Sequence, residues 1–143
     1  MFTLDQRLQQ DTLLLGDLPL CRLLLMNDAN YPWFILVPRR DEVSELFQLD
    51  AQEQQQLWRE STELAEVLKD TFKADKMNVA TLGNVVSQLH MHVIVRRKDD
   101  PAWPAPVWGK HPAKPYSDEQ VAALRSKLRM ALDDDFQFAG ESA

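Results

Sequence analysis

Two histidines in a short run of alternating polar and apolar residues are the side chains of this sequence best suited to chemistry. Residues 87–95 read SQLHMHVIV and contain two of the three histidines, His90 and His92. Alternate side chains of a strand share one face, so we expect Gln88, His90 and His92 to project together. A neutral imidazole is a good nucleophile and titrates near neutral pH. The pattern therefore indicates covalent or acid–base catalysis.

The same pair of histidines is also compatible with a metal site. Imidazoles that alternate on a sheet can share Zn²⁺, with His111 and a carboxylate completing four ligands. A third interpretation is that both histidines are solvated surface residues. The residues alone leave these alternatives open.

Three helices are predicted from reciprocal capping patterns, in which an N-cap oxygen is followed three residues later by Glu or Gln. The pairs are Thr3 with Gln6, Asp50 with Glu53, and Ser117 with Gln120. The helices that follow are predicted over residues 4–15, 51–73 and 118–132. The second helix carries apolar residues at helical spacing and is the longest.

Short apolar runs between the helices predict four strands, over residues 21–27, 33–38, 76–81 and 85–97. Strands in hairpins beside one long helix indicate an α+β fold with an antiparallel sheet covered on one face. Together with the N- and C-terminal helices, we expect about five strands backed by the long helix. His90 and His92 should then line the open face of the sheet.

Composition limits the class of protein. A chain of 143 residues fits one domain, which we predict over residues 1–143 with a core over 21–97. The net charge of -6 argues against broad nucleic-acid binding but permits a small anionic ligand. No apolar run approaches the roughly 20 residues that cross a bilayer. With the single Cys21 and no leader-like start, we expect a cytoplasmic protein without membrane contact.

Residues 99–115 have a different composition. Five of the eight prolines lie in this segment with Trp103 and Trp108. Proline lacks a backbone donor, so the segment should be neither helix interior nor central strand. We predict an ordered arm pinned by its aromatic side chains. The basic run Arg96-Arg97-Lys98 just before it is interpreted as a solvated strand end.

The motif and its surroundings resemble the histidine-triad (HIT) superfamily. Its members carry His-φ-His-φ-His-φ-φ on one strand, where φ is apolar, and this chain has Gln88-Leu89-His90-Met91-His92-Val93-Ile94. Asn78 and the turn Gly83-Asn84-Val85 match the approach to that strand. Residues 24–27 and 34–38 resemble the first hairpin of the family. The resemblance covers residues 21–97.

The resemblance implies transfer of a nucleoside monophosphate group through a covalent nucleotidyl-histidine. His90 would attack the α-phosphorus, and His92 would protonate the leaving group or hydrogen-bond the phosphate. Backbone N–H groups from Gly83 to Val85 would hold the phosphate, and Asn27 the ribose. Asn78 and Asn84 are candidates for polar contact with the phosphate or with the turn.

The resemblance also bears on substrates and partners. The implied substrates are dinucleoside polyphosphates, such as diadenosine tetraphosphate, or nucleoside phosphoramidates. No cofactor is required, although a divalent cation can accompany a polyphosphate, and a homodimer is expected.

Three positions depart from the family pattern. Gln88 replaces the first histidine and cannot titrate. Val85 replaces a serine that would donate to the leaving group, and Trp33 replaces a further histidine. These changes raise a second hypothesis, a nucleotide-binding module with little catalysis. A metal-binding protein that uses His90, His92 and His111 is the third.

Overall fold

The structure, a computed structural model, describes residues 1–139, so the last four positions of the predicted 1–143 domain lie outside the described residues. Residues 1–139 form three α-helices and six strands. In chain order they are α1 (Gln6–Asp11), β1 (Thr12–Asp17), β2 (Cys21–Met26), β3 (Trp33–Pro38), α2 (Ala51–Phe72), β4 (Lys76–Ala80), β5 (Met91–Arg96), α3 (Asp118–Ala131) and β6 (Gln137–Phe138). No helix among residues 1–139 is long and apolar enough to cross a membrane.

The strands form one antiparallel sheet in the order β4-β5-β3-β2-β1-β6. The predicted α+β class and long-helix backing are confirmed. The sheet has six strands rather than about five, because β1 and the short β6 extend it beyond β2.

The first helix is shorter than predicted. Asp5, not Thr3, is its N-cap, with a carboxylate that accepts from the backbone N–H groups of Arg7 and Leu8. The helix ends at Asp11, and the leucines that follow it belong to β1. There Leu13 and Leu14 pair with Leu25 and Leu24 of β2. Long-range strand pairing thus overrides the local helical signal.

The two other helices begin where the capping patterns predicted. Asp50 and Ser117 are N-caps, and both capping boxes are complete. The buried face of α2 packs on one side of the sheet through Leu57, Leu64 and Leu68. This side holds the larger apolar cluster of the protein.

The opposite side of the sheet is also covered, contrary to the open face predicted from the sequence. Every residue of β3 and β5 is buried. A second apolar cluster forms there from strand residues, Leu8 of α1 and two residues that follow β5, Ala102 and Val107. The arm, residues 99–115, therefore packs on the face that carries the histidines.

Candidate active site

His90 and His92 lie side by side at the start of β5. The strand begins at Met91. Residues 85–90, which were predicted to form the first part of this strand, instead belong to the connection between β4 and β5. The two imidazole centroids are still only 4.8 Å apart, with the rings nearly perpendicular. Both residues are buried, at 5% and 4% exposure. They are not solvated surface histidines.

A backbone carbonyl orients the His90 ring. Nδ1 of His90 lies 2.7 Å from the carbonyl oxygen of Gln88. A carbonyl only accepts hydrogen bonds, so Nδ1 carries the proton in the neutral ring. The other ring nitrogen, Nε2, then holds a free lone pair, which is the state a nucleophile needs.

The Gln88 side chain binds the N-terminal segment. Its amide nitrogen donates to the carbonyl oxygen of Thr3 at 2.9 Å, and its amide oxygen accepts from the N–H of Asp5 at 2.8 Å. The residue in place of the first histidine thus contributes its backbone to His90 and its side chain to residues 3–5. It fixes the connection from which His90 projects.

A tryptophan orients the His92 ring. Nε1 of Trp33 donates to Nδ1 of His92 at 2.9 Å, and both groups are buried. In the β3–β5 pairing Trp33 lies opposite Ile94, which makes it the diagonal neighbour of His92. Burial, and secondarily the proximity of His90, lower the pKa of His92 to about 3. His92 is therefore neutral near pH 7.

Trp108 of the arm completes an aromatic cluster with Trp33, His90 and His92, called the histidine cluster below. Its ring lies edge-on to both Trp33 and His92, with centroid distances of 5.7 and 5.0 Å. A groove of about 380 Å³ runs beside the cluster. Trp33, Trp108, His111, Met26 and Asn27 are among the residues that line it. Asn27, the predicted ribose ligand, thus lines a groove whose walls include Trp33 and Trp108, the two indoles that contact His92.

A buried arginine anchors the start of the arm. Arg96 is 2% exposed and binds both carboxylate oxygens of Asp100, at 2.8 and 3.0 Å. It also donates to the side-chain oxygen of Asn78 and to the carbonyl of Ala105. Burial opposes ionisation of Asp100, but hydrogen bonds led by that from Arg96 outweigh it and lower its pKa. The interpretation of Arg96 as a solvated strand end was wrong.

The far end of the arm is held by the turn after β2. Asn27 Oδ1 accepts from the N–H of Tyr116, and Asp28 Oδ1 accepts from the N–H of Lys114. Asn30 donates to the carbonyl of Pro112. The Asn27 oxygen therefore already has a partner, and its amide nitrogen is the group left for a ligand in the predicted role.

The predicted phosphate-binding turn lies in the connection between β4 and β5. Gly83 has a φ of +86°, a conformation that favours glycine. Asn84 and Val85 are exposed. Thr81 closes the connection by donating from its hydroxyl to the carbonyl of His90. The phosphate contacts of Gly83, Asn84 and Val85 stay predictions.

The metal alternative requires His111 and a carboxylate beside His90 and His92. Nε2 of His111, which is exposed, contacts the carbonyl oxygen of Pro101 at 2.9 Å. Within residues 1–139, no group of three or more His, Cys, Asp or Glu side chains is arranged to hold a metal ion.

Sequence reasoning missed Trp33 as a donor and Arg96 as an anchor. The sequence contained a signal for each. Arg96 lies on the same face of its strand as His92 and Ile94, because all three are at alternate positions. Trp33 is the first residue of a fully apolar strand. The pairing register that joins Trp33 to His92 is not encoded locally, so spacing alone does not reveal the contact.

Known proteins resemble this chain in sequence and in fold. Residues 7–99 match the model of the HIT domain family. A histidine triad protein from Marinobacter aquaeolei is 52% identical, with a TM-score of 0.90 over 92% of this chain and 96% of that one. A histidine triad protein from Sinorhizobium meliloti is 44% identical, with a TM-score of 0.90 over 92% and 98% of the two chains.

A third structure, a histidine triad protein from Bradyrhizobium japonicum, is 45% identical, with a TM-score of 0.89 over 91% and 97% of the two chains. No curated protein matches the sequence. The family model spans both histidines and the hairpins around them, and the three structures share the fold over nearly their full lengths. This chain belongs to the histidine-triad (HIT) family.

Proposed function

We propose that the protein is a nucleotide hydrolase or nucleotidyl transferase that acts at an α-phosphate through a covalent nucleotidyl-His90. The observation that carries the proposal is the state of His90. Its Nδ1 proton is bound by the Gln88 carbonyl, so the lone pair of the neutral ring is on Nε2. Attack on phosphorus by this nitrogen needs no prior deprotonation of the ring.

The groove beside the cluster supports a nucleoside ligand. Trp33, Trp108 and Met26 supply flat or polarisable apolar surface for a base, while Asn27 supplies polar contact for a ribose. Trp33 and Trp108 line the groove and also contact His92, so a nucleotide bound there would lie next to the histidines. A divalent cation, if one is used, would accompany the polyphosphate part of the substrate.

The proposal is tested by intact-protein mass after brief mixing with dinucleoside polyphosphates and nucleoside phosphoramidates of several bases. A transient gain of one nucleoside monophosphate is expected in the wild type and not in His90→Ala. Ser87→Ala, at an exposed position three residues before His90, is the matched control and should retain the adduct. Absence of any adduct or product in the wild type would overturn the catalytic proposal.

A nucleotide-binding module with little catalysis is the second candidate. The observation in its favour is the burial of His90 and His92 under the arm, because a substrate must reach a nitrogen that is barely exposed. This candidate predicts that a nucleotide raises the melting temperature while turnover stays at background. Thermal shift and product analysis on the same sample separate the two.

We also propose that the protein is a homodimer. β4 is an edge strand of the sheet, and exposed apolar residues lie on it and after it, namely Val79, Leu82 and Val85. An unpaired edge with apolar side chains is a template for pairing with another strand. Light scattering should give twice the chain mass, and Val79→Lys should reduce it.

A further inference from the structure

The Trp33–His92 hydrogen bond determines what His92 is able to do in a reaction. An indole N–H is a donor only, so Nδ1 of His92 must be the acceptor. The proton of the neutral ring then sits on Nε2. The partner cannot reverse its role, because indole has no lone pair with which to accept a proton from Nδ1.

The surroundings reinforce this state. His92 is 4% exposed and Trp33 is 6% exposed, so neither ring has ready access to water. Trp108 stands edge-on over both rings. Burial keeps the pKa of His92 near 3, far below the working range of a general acid at neutral pH.

The two neighbouring histidines are thus fixed as opposite tautomers. His90 has a proton on Nδ1 and a lone pair on Nε2, while His92 has a lone pair on Nδ1 and a proton on Nε2. His90 is suited to attack phosphorus. His92 is suited to donate a hydrogen bond to an oxygen, but releasing its only ring proton would leave an imidazolate in a buried site.

We infer that the site acts on nucleotide anhydrides, whose leaving group departs as a stable anion, in preference to phosphoramidates, because Trp33 holds His92 as a hydrogen-bond donor and not as an acid. The inference rests on the proposed function and narrows its substrate class. Val85 acts in the same direction, since a valine side chain in the β4–β5 connection has no hydroxyl to donate.

The bond changes balance without a protein acid. The His90 Nε2 lone pair forms the N–P bond as the P–O bond to the leaving group breaks, and that electron pair leaves on a phosphate or carboxylate. The Nδ1 proton stays on His90, bound by Gln88. Water then attacks phosphorus, the P–N bond breaks, its electron pair returns to Nε2, and the proton of water passes to solvent.

A phosphoramidate has a different requirement. Its P–N bond breaks readily only when the departing amine receives a proton. His111 also lines the groove and is the competing proton source. Its Nε2 donates to the Pro101 carbonyl, which directs that proton away from a leaving group.

The first test compares two substrates that differ only in the leaving group, an acyl nucleotide anhydride and an N-alkyl phosphoramidate of the same nucleoside. The adduct should form on wild-type protein about 100-fold or more faster from the anhydride, after correction for spontaneous hydrolysis, the low end of what general-acid catalysis contributes. Equal rates, or a faster phosphoramidate, would overturn the inference while leaving the proposed function intact. No adduct from either substrate would overturn both.

The second test reads the tautomer directly and does not depend on turnover. In ¹⁵N-histidine correlation spectra of the wild type, Nδ1 of His92 should appear as an unprotonated nitrogen and Nε2 as a protonated one. A protonated Nδ1 would overturn the inference whatever the substrate rates are.

The third test changes the donor. In Trp33→His, the new imidazole can accept a hydrogen bond from His92 as well as donate one. The rate ratio of anhydride to phosphoramidate should therefore fall, and the Nδ1 signal of His92 should shift. Trp33→Phe removes the N–H donor, so the proton of neutral His92 should no longer be restricted to Nε2. If either folded variant keeps the wild-type preference and the wild-type spectrum, Trp33 is not the positioning residue. If neither folds, the wild-type measurements still decide.

Discussion

The two faces of the sheet are covered in different ways. The face under α2 is packed by apolar side chains, with Leu57, Leu64 and Leu68 of α2 and Leu128 of α3 in the main cluster. Its buried carboxylate, Glu60, accepts from the N–H groups of Leu20 and Cys21 and serves the backbone. The arm face is instead held by directional side-chain bonds, such as the local ion pair of Arg96 with Asp100 and the long-range bond of Asn27 with the N–H of Tyr116.

The two covers differ in the kind of contact that positions them. A helix with one apolar stripe packs on a sheet through non-directional contacts, which tolerate adjustment. The arm is rich in proline and lacks regular hydrogen bonding of its own, so it is positioned by a few directional bonds. The same face carries Trp33, His90 and His92. The candidate catalytic histidines thus lie under the cover that depends on a few directional bonds.

Breaking the buried ion pair should have the largest effect. Asp100→Ala leaves Arg96 charged and buried without its carboxylate, which is expected to cost about 3 to 5 kcal/mol of unfolding free energy. Urea unfolding measures the loss, and limited proteolysis should cut within residues 99–115. Asp99→Ala, at the exposed neighbour, is the control and should change little. Equal stability of the two variants would contradict this account of the arm.

Truncating the helix face should destabilise the protein without releasing the arm selectively. Leu68 of α2 is fully buried, and Leu68→Ala is expected to cost about 3 kcal/mol through lost burial and a cavity. Glu66→Ala, on the exposed side of the same helix, is the control. If Leu68→Ala made the arm protease-sensitive before global unfolding, the two faces would not be independent.

The buried histidine should make stability depend on pH. The folded pKa of His92 is lowered to about 3 from 6.5, so below pH 6.5 the unfolded state binds more protons than the folded state. Stability is therefore lost as pH falls, by at most about 1.4 kcal/mol per pH unit from this group. Urea unfolding between pH 7 and 5 should show the slope in the wild type and in His111→Gln. An unchanged slope in His92→Gln would refute the assignment.

Releasing the N-terminal segment should have the smallest effect. Gln88→Ala removes two hydrogen bonds to residues 3–5 and is expected to cost about 1 to 2 kcal/mol. The N–H of Asp5 should lose its protection from hydrogen exchange. Ser87→Ala, at the exposed neighbour, should retain that protection. Retained protection in Gln88→Ala would mean that the amide does not hold the segment.

Local signals predicted most elements of the fold. The Asp50 and Ser117 capping boxes placed α2 and α3, because an N-cap satisfies backbone donors within its own first turn. Strands β2, β3 and β4 were placed to within a residue or so by their apolar runs. Strand β1 was not predicted, because its leucines are compatible with either a helix or a strand. Their pairing with β2 selects the strand.

The site was predicted in part. Strand parity brought His90 and His92 together, and the structure places them in ring contact. The cover over them was not predictable, because the bonds from the turn after β2 to the arm join residues more than 80 positions apart. The roles of Trp33 and Gln88 likewise depend on long-range neighbours. The sequence identified Trp33 and Gln88 only as departures from the family pattern and did not indicate which atoms they contact.

The distribution of tryptophans has an optical consequence. Trp33 and Trp108 are in edge contact at the histidine cluster, and Trp103 lies against Arg96 at the anchor of the arm. Trp58 stands apart on α2 and is about half exposed. A Trp58→Phe protein would therefore emit only from indoles of the arm face. Its intrinsic fluorescence would report any change in the surroundings of these indoles in real time, without an attached dye.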